Sequence, residues 1–452
     1  MADRHAPPSL SPPMPFAPDV EVFSDARPEL VTQDGVAQVF TRRFKDLLRY
    51  CFSRGAWFEW DGTSWRVDRT DSALQHARDI ARDRSRSCHG AEIRQARSLA
   101  FAKGVEKLAR GAMKATAADW DVDPFLLGTP GGTVDLRTGV LRSANPQDGI
   151  TKITLVEPAP TADCPRWTEF LHEALGGDAE VIRFLQQFSG YCLTGVTREQ
   201  TLLFLHGPGG NGKSVFQEVL MSILHEYAAT APMTAFTTSA HDKHPTELAM
   251  LHGPRLVTAS ETEFGRAWDE ARIKQLTGGD RIRARFMRED FFEFMPKFKL
   301  IFAGNHQPRL TVVDNAARRR VAMVPFVVTP KDVDHLLTEK LKHEAPGILR
   351  WMIDGALDWQ ANGLLRPACI ADATETYFAD QDVFGSWLAE CCDTGDDAYW
   401  ASSLELRMSY ERYSEAGVSQ KNFASQLQSR GFAPYRTGDA RGFQGIQLKR
   451  QP

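Results

Sequence analysis

Residues Leu202–Leu224 read LLFLHGPGGNGKSVFQEVLMSIL, an apolar run that breaks into four glycines and a Lys-Ser pair before apolar residues resume. The pattern G-x-x-x-x-G-K-[ST] falls on Gly207, Gly212, Lys213 and Ser214, after a predicted strand and before a predicted amphipathic helix, which is the context a phosphate-binding loop needs. Glycines let backbone N–H groups turn inward around phosphate oxygens without a Cβ clash, and the following helix adds its positive N-terminal end. The segment Gly207, Pro208, Gly209, Gly210, Asn211, Gly212, Lys213 and Ser214 is therefore expected to seat ATP, with Lys213 reaching the β- and γ-phosphates and Ser214 holding Mg²⁺.

A core built around such a loop alternates strands with helices, and the apolar runs TLLFLHG, RLVTAS, FFEF, KLIFAGN and VAMVPF recur between Thr201 and Phe326, interleaved with SVFQEVLMSILHEY and WDEARIKQLTG. The expected fold class is α/β, a nucleotide-binding core spanning 201–330. Ahead of it, the Pro-rich residues 1–30 lack the apolar groups to offset chain entropy and read as a disordered tail. Residues 31–155 mix helical spacing with two hairpins, AWFEWDGTSWRVD and GGTVDLRTGVLR, and read as an N-terminal α+β domain. Residues 156–200 read as a helical lead-in of two helices parted by Gly176-Gly177, 331–395 as a helical extension, and 396–452 as helices followed by a short hairpin.

The chain has 452 residues, 42% of them hydrophobic and 25% charged, which suits a globular protein of several domains. No run of about eighteen apolar residues occurs and the first residues lack a signal-peptide core, so a cytoplasmic protein without membrane contact is expected. Seven cysteines with no C-x-x-C pair suit a reducing compartment. A formal net charge of −4 argues against binding nucleic acid through bulk charge, so any such contact has to come from local patches.

A phosphate loop needs an acidic partner at a neighbouring strand end, and RLVTASETE supplies Glu261, with Glu263 as the second choice, to act on the metal and its attacking water. Asn305 follows KLIFAG, where an amide can orient water against the γ-phosphate. Arg318, Arg319 and Arg320 precede VAMVPF, and an arginine at the γ-phosphate, even one from a neighbouring subunit, stabilises transition-state charge. A solvated turn is the plainer reading of each of these three features taken alone.

Two segments carry local positive charge. GGDRIRARFMREDFFEFMPKFK alternates as a hairpin with MRED at its tip, which would project Arg288 toward a phosphate backbone. From Arg407 to Arg450 there are eight Arg or Lys and three acidic residues, in an order compatible with a winged helix holding Lys421, Arg430, Arg436 and Arg441 near DNA; a small protein-docking domain is the alternative.

Together the blocks WDGTSWRVD, VDLRTGVLR, GPGGNGKS, RLVTASETEFGRAWDEARIKQLTGGDRIRARF, FFEFMPKFKLIFAGNHQPRL and RRRVAMVPF resemble the C-terminal helicase half of phage and plasmid primase-helicases, the poxvirus primase-helicase type of superfamily 3. The resemblance runs from about Val31 to Leu448. It implies an AAA+-like P-loop ring, a homo-hexamer, in which Lys213 and Ser214 bind ATP and Mg²⁺, Glu261 is the acidic strand-end residue, Asn305 the polar sensor, and Arg319 or Arg320 the arginine finger acting across subunits. It also implies a channel hairpin carrying Arg288, with Lys274 in the segment leading into it, against single-stranded DNA; Lys297, in the charged segment itself, is a further expected DNA contact. The family often has an aromatic residue where this chain has Arg318, and many relatives carry a priming domain upstream. DWDVD, Asp119 to Asp123, is the one dense acidic cluster in the N-terminal region that a two-metal priming site would call on.

The combined expectation is a replicative DNA helicase of a mobile element, translocating on single-stranded DNA and working with a separate primase or host replication proteins. An ATP-dependent initiator that binds and melts an origin duplex is the alternative, and a packaging or defence ATPase acting on duplex DNA is the third reading.

Overall fold

A computed structural model of the chain describes residues 31–238, 245–260, 267–288, 290–310, 315–330, 334–438 and 440–449. The disordered-tail expectation for 1–30 lies outside these residues. The fold is mixed α/β with several separate sheets. Among the described residues no helix is long and apolar enough to cross a membrane.

The chain divides into two compact units, one of residues up to Trp60 with Arg66–Ala117 and the other of Asp61–Trp65 with Ala118 onward. In the first, strands Leu48–Cys51 and Ala56–Trp60 pair antiparallel and Lys114–Ala115 adds in parallel. Helices Gln33–Phe44, Ser72–Arg84 and Leu99–Ala112 pack around Phe40, Trp57, Phe101 and Val105. The buried Glu106 carboxylate accepts from the Trp57 indole and from Arg110, which satisfies a charge that would otherwise be costly to bury.

The N-terminal domain ends earlier than the expected boundary at 155. Residues 118–155 belong to the larger unit, because its own groups satisfy their backbone: Tyr227 Oη donates to the Lys152 carbonyl at 2.8 Å, Ile153 N donates to Glu226 at 2.9 Å, and Leu155 N donates to the Ile223 carbonyl.

The larger unit is organised by a five-stranded parallel sheet in the order Val321–Pro325, Leu202–His206, Lys299–Gly304, Leu256–Ser260, Ala228–Thr230. Its three central strands are buried along nearly their whole length, which is why their sequences read as continuous apolar runs rather than alternating ones. FFEF does not join this sheet: Phe292–Phe294 pairs antiparallel with Ile282–Ala284 in a separate hairpin whose tip contains Met287 and Arg288.

The expected lead-in, core and extension share one apolar cluster, running from Trp167 and Phe188 through Phe216 and Val324 to Trp351 and Trp359. Helices Ala179–Leu193 and Ala345–Asn362 cross at Gly190 and Gly355, where any Cβ would strike the partner backbone. The C-terminal module has its own core of Phe384, Trp387, Leu406, Phe423, Leu427 and Phe443, so it begins at about Val383 rather than at 396. In it, helices Ser403–Ser414 and Gln420–Ser429 precede the hairpin Pro434–Thr437/Ala440–Gln444.

Candidate nucleotide-binding site

The Leu202–His206 strand lies between Lys299–Gly304 and Val321–Pro325 and delivers the glycine loop at its C-terminal end. Gly209, Gly210 and Gly212 have φ of +107°, +65° and +88°, values only glycine adopts freely. Helix Lys213–Leu224 begins directly at the lysine with no side chain capping its first turn, so its leading N–H groups are available to an anion. Phe216, Val219, Leu220 and Ile223 fix the helix to the core, and Gln217 Nε2 donates to the Ile301 carbonyl at 3.0 Å.

Lys213 is buried inside the loop, where its Nζ donates to the Gly207 carbonyl at 2.9 Å and to Asn211 Oδ1 at 2.8 Å. Asn211 in turn donates through Nδ2 to the Phe326 carbonyl, and Phe326 N donates to the His206 carbonyl at 2.8 Å, which ties the loop to the neighbouring strand. Burial holds the Lys213 ammonium below its ordinary value. His206 is pushed down as well, by burial first and then by Lys213, and its Nε2 has no hydrogen-bond partner among the described residues. Ser214 is exposed in the first helical turn.

Asn305 follows directly on the Lys299–Gly304 strand and faces the loop: its amide atoms lie 3.8 and 3.9 Å from the position a Cβ on Gly209 would take. Between them is a cavity of about 540 Å³ lined by His206, Gly207 and Pro208 on the loop side and Asn305, His306, Gln307, Arg309 and Gln381 on the other. That volume is in the range of small-molecule sites, and the wall offers polar and cationic groups suited to a phosphorylated ligand. The residues present fit a nucleoside triphosphate: the glycine loop that opens on this cavity carries a buried lysine and leads into uncapped helical N–H groups, and an amide faces the loop across the cavity. Glu261 and Glu263 lie outside the described residues; the Leu256–Ser260 strand that precedes them runs beside Lys299–Gly304.

The three arginines of helix Asn315–Arg320 do not line this cavity. Arg318 pairs with Glu375 at 2.8 Å and lies over the Phe378 ring, and Arg320 donates to Gln200 and to the Ala316 carbonyl at 3.0 Å each. Arg319 is exposed, and among the described residues its guanidinium has no partner, while its carbonyl accepts from Arg366.

The residues expected to contact DNA divide into two groups. Arg288 is exposed at the hairpin tip with φ of +64°, and Lys421, Arg436 and Arg441 are exposed on the C-terminal module; Lys274 is half-buried on helix Glu270–Gly278. Lys297 is corrected: its Nζ donates to the Asp121 carbonyl at 2.8 Å and burial lowers its pKa, so it ties the segment before the Lys299–Gly304 strand to the distant loop at Asp121. Arg430 is corrected too, since it pairs with Asp382 and stacks on the Phe384 ring at 4.7 Å inside the module. In DWDVD, Asp121 accepts from Thr151 N and Oγ1 and Asp123 pairs with Arg137 at 2.8 Å, so both carboxylates hold local structure. Sequence reasoning missed His206, Arg309 and Gln381; the first two stand within four residues of assigned positions, whereas Gln381 comes from a distant helix and has no local signal.

Two family models match the chain, "D5 N terminal like" over residues 37–176 and a "Family of unknown function (DUF5906)" over 205–320. Among curated proteins it is 24% identical over 294 residues to "Putative helicase L207/L206" of Acanthamoeba polyphaga mimivirus, covering 60% of this chain and 31% of that protein. It is 26% identical over 334 residues to "Putative helicase 184R" of Invertebrate iridescent virus 6, covering 65% and 34%, and 27% identical over 252 residues to "Putative helicase 022R" of Frog virus 3, covering 48% and 26%. The chain thus spans about a third of the length of these relatives. A solved structure of the NrS-1 C-terminal region matches with a TM-score of 0.51 over 91% of this chain and 98% of that one, and at 10% identity the likeness is one of fold. The D5-type segment ahead of the glycine loop and the likeness to viral proteins named as helicases together support a phage or viral primase-helicase family.

Proposed function

We propose that this protein is an ATP-dependent DNA helicase of a mobile element, with an AAA+-like P-loop core that assembles as a homo-hexameric ring and moves on single-stranded DNA. The observation that carries the reading is the buried Lys213 ammonium held in a glycine loop that Asn305 faces across a cavity. Lys213 and the first helical N–H groups bind the phosphates, Asn305 orients the attacking water, and Ser214 with Glu261 holds Mg²⁺. The metal supplies charge neutralisation at the phosphate oxygens when bound. Of the three arginines, Arg319 is the one whose side chain is exposed and unpaired among the described residues, which supports it as the finger reaching a neighbouring subunit. Arg288 at its hairpin tip contacts the strand being moved, and primers come from a separate primase or host replication proteins; the setting is the cytoplasm.

A second observation favours origin duplex as an additional ligand. Arg436 and Arg441 are directly opposed across the exposed C-terminal hairpin, an arrangement that is unfavourable without an anion between or beside them. With helix Gln420–Ser429 carrying Lys421 just before it, this supports a winged-helix module on duplex phosphates, and with it the initiator function as an accompaniment to, or replacement for, unwinding.

Steady-state ATP hydrolysis of wild type and Lys213→Ala, with and without single-stranded DNA at two salt concentrations, tests the motor. The variant is expected to lose roughly a hundredfold or more, the scale of removing one preorganised charge-stabilising group. Normal hydrolysis by Lys213→Ala refutes the nucleotide site; Lys213-dependent hydrolysis that ignores single strands leaves the initiator in place of the helicase.

A further inference from the structure

The net charge of −4 conceals a segregation. Residues 31–117 carry 17 Lys and Arg against 10 Asp and Glu, whereas 118–452 carry 35 against 43. The basic share belongs to the N-terminal unit, and part of it is concentrated on one helix. Helix Leu99–Ala112 turns Phe101, Ala102, Val105 and Ala109 into the core. Lys103 and Lys107 follow each other at four-residue spacing on its outer face, and Arg110 continues the same row three residues later. Lys114, exposed, starts the short strand that follows. Among the described residues Lys103, Lys107 and Lys114 take part in no ion pair.

Aromatic rings stand beside this row. Arg110, held by Glu106 at 2.8 Å, lies 4.4 Å over the Tyr50 ring and donates to its hydroxyl at 3.1 Å. Tyr50 sits across from Lys114 in the sheet and packs edge-on against Phe52 at 4.9 Å. Phe52 is 56% exposed, and its N donates to the Ala115 carbonyl at 3.0 Å, so an open ring lies at the end of the row of cations. From Lys103 to Lys114 the row spans about 15 Å, enough for about four phosphates at stacked spacing.

Unpaired cations spaced along one face with an exposed ring at the end meet the two requirements of single-strand binding: charge for the backbone and a surface on which a base stacks. We propose that Lys103, Lys107, Lys114 and Phe52 form a single-stranded nucleic-acid site on the N-terminal unit, separate from the hairpin tip. It deepens the function proposed above and rests on it for choosing nucleic acid over other polyanions.

The test is a fluorescence-anisotropy titration of a short labelled oligothymidylate with the full chain over a range of salt, with unlabelled heparin as a competing polyanion. The double variant Lys103→Glu/Lys107→Glu is expected to lose at least tenfold in affinity at low salt and to lower the slope of log affinity against log salt by about 1.4, two contacts at about 0.7 each on single strands. Phe52→Ala is expected to lose fivefold or more for the oligonucleotide while heparin binding is unchanged, because only a base stacks. DNA-free ATP hydrolysis stays at the wild-type rate in both. Unchanged affinity and slope in the double variant overturn the site even where Lys213-dependent hydrolysis upholds the motor. Equal losses for heparin and oligonucleotide, with Phe52→Ala silent, also overturn it, in favour of a general anion patch. If wild type hydrolyses no ATP yet the double variant loses the oligonucleotide and the slope, the site stands and the motor falls.

Discussion

Gly207 and Gly210 sit in the same loop for different physical reasons, and replacing each by alanine separates them. A Cβ on Gly207 would fall inside contact distance of the Phe326 carbonyl oxygen and of Asn211 Nδ2. Neither can retreat, because Phe326 is fully buried with its N–H on the His206 carbonyl, and Asn211 is buried between Phe326 and Lys213. Overpacking of this kind costs about 1–3 kcal/mol, and breaking the Asn211–Phe326 hydrogen bond to make room adds about 1–3 kcal/mol for a buried unpaired group. A total of about 2–6 kcal/mol is expected for Gly207→Ala. Gly210 has φ of +65° and only Thr329 Cγ2 near a new Cβ, at 3.7 Å, so Gly210→Ala costs about 1 kcal/mol of backbone strain. The cost appears as lower thermal stability if the loop keeps its shape, and as weaker nucleotide binding if the loop relaxes away from it. Calorimetric unfolding and titration with a fluorescent ATP analogue are therefore read together. If the loop relaxes, affinity falls by roughly 30- to 20,000-fold for Gly207→Ala and by less than tenfold for Gly210→Ala. Wild-type stability and affinity in Gly207→Ala, or a larger loss in Gly210→Ala, refutes the packing argument.

Two further outcomes follow from buried and exposed cations. Burial pushes the Lys299 ammonium down to about 7, so above that pH the unfolded chain holds a proton the folded one has released and stability rises with pH; Cys192 beside it, pushed up to about 12 by burial, acts in the opposite sense above its ordinary 9. In urea unfolding between about pH 7 and 9, wild-type stability relative to Lys299→Met should climb by up to about 1.4 kcal/mol per pH unit, and a flat difference rejects the assignment. Arg441→Ser relieves the repulsion with Arg436 and is expected to raise stability by about 0.3 kcal/mol while reducing the salt slope of duplex binding by about 0.9; a variant that gains no stability and binds duplex as before removes the case for the hairpin.

The elements legible in the sequence were those whose cause is local. Apolar runs bounded by glycine gave the central strands, Thr138-Gly139 gave the Gly132–Asp135/Val140–Arg142 turn, and Gly176 and Gly177, both at positive φ, part the two lead-in helices. The glycine loop and Asn305 face each other across one cavity. What local pattern does not carry is the fate of a lone cation. Lys297 and Arg430 look like any surface lysine or arginine in sequence, yet the Asp121 carbonyl and the Asp382 carboxylate that engage them are reached only through the tertiary fold. Gln381 enters the cavity wall the same way: its helix is tied to the 305–310 segment by Tyr377 donating to the Pro308 carbonyl and by Leu310 N donating to Gln381 itself.

The parallel sheet supplies a rule that would have sorted several of these residues. All five strands run the same way, so their C-terminal ends open on one edge and their N-terminal ends on the other. Polar residues at or just past a strand end, His206 and Asn305, line the cavity with the glycine loop, as expected for ligands that bind outside the carboxyl ends of parallel strands. Cations at a strand start do the reverse. Arg255 precedes Leu256–Ser260 and Lys299 opens Lys299–Gly304; Arg255 donates to the Leu193 and Leu126 carbonyls and Lys299 to the Thr194 carbonyl, where helix Ala179–Leu193 ends. The negative end of that helix and its unpaired carbonyls explain why two buried cations are tolerated there without carboxylate partners. Position relative to strand direction, rather than residue type, thus separates ligand-facing polar groups from structural ones in this fold.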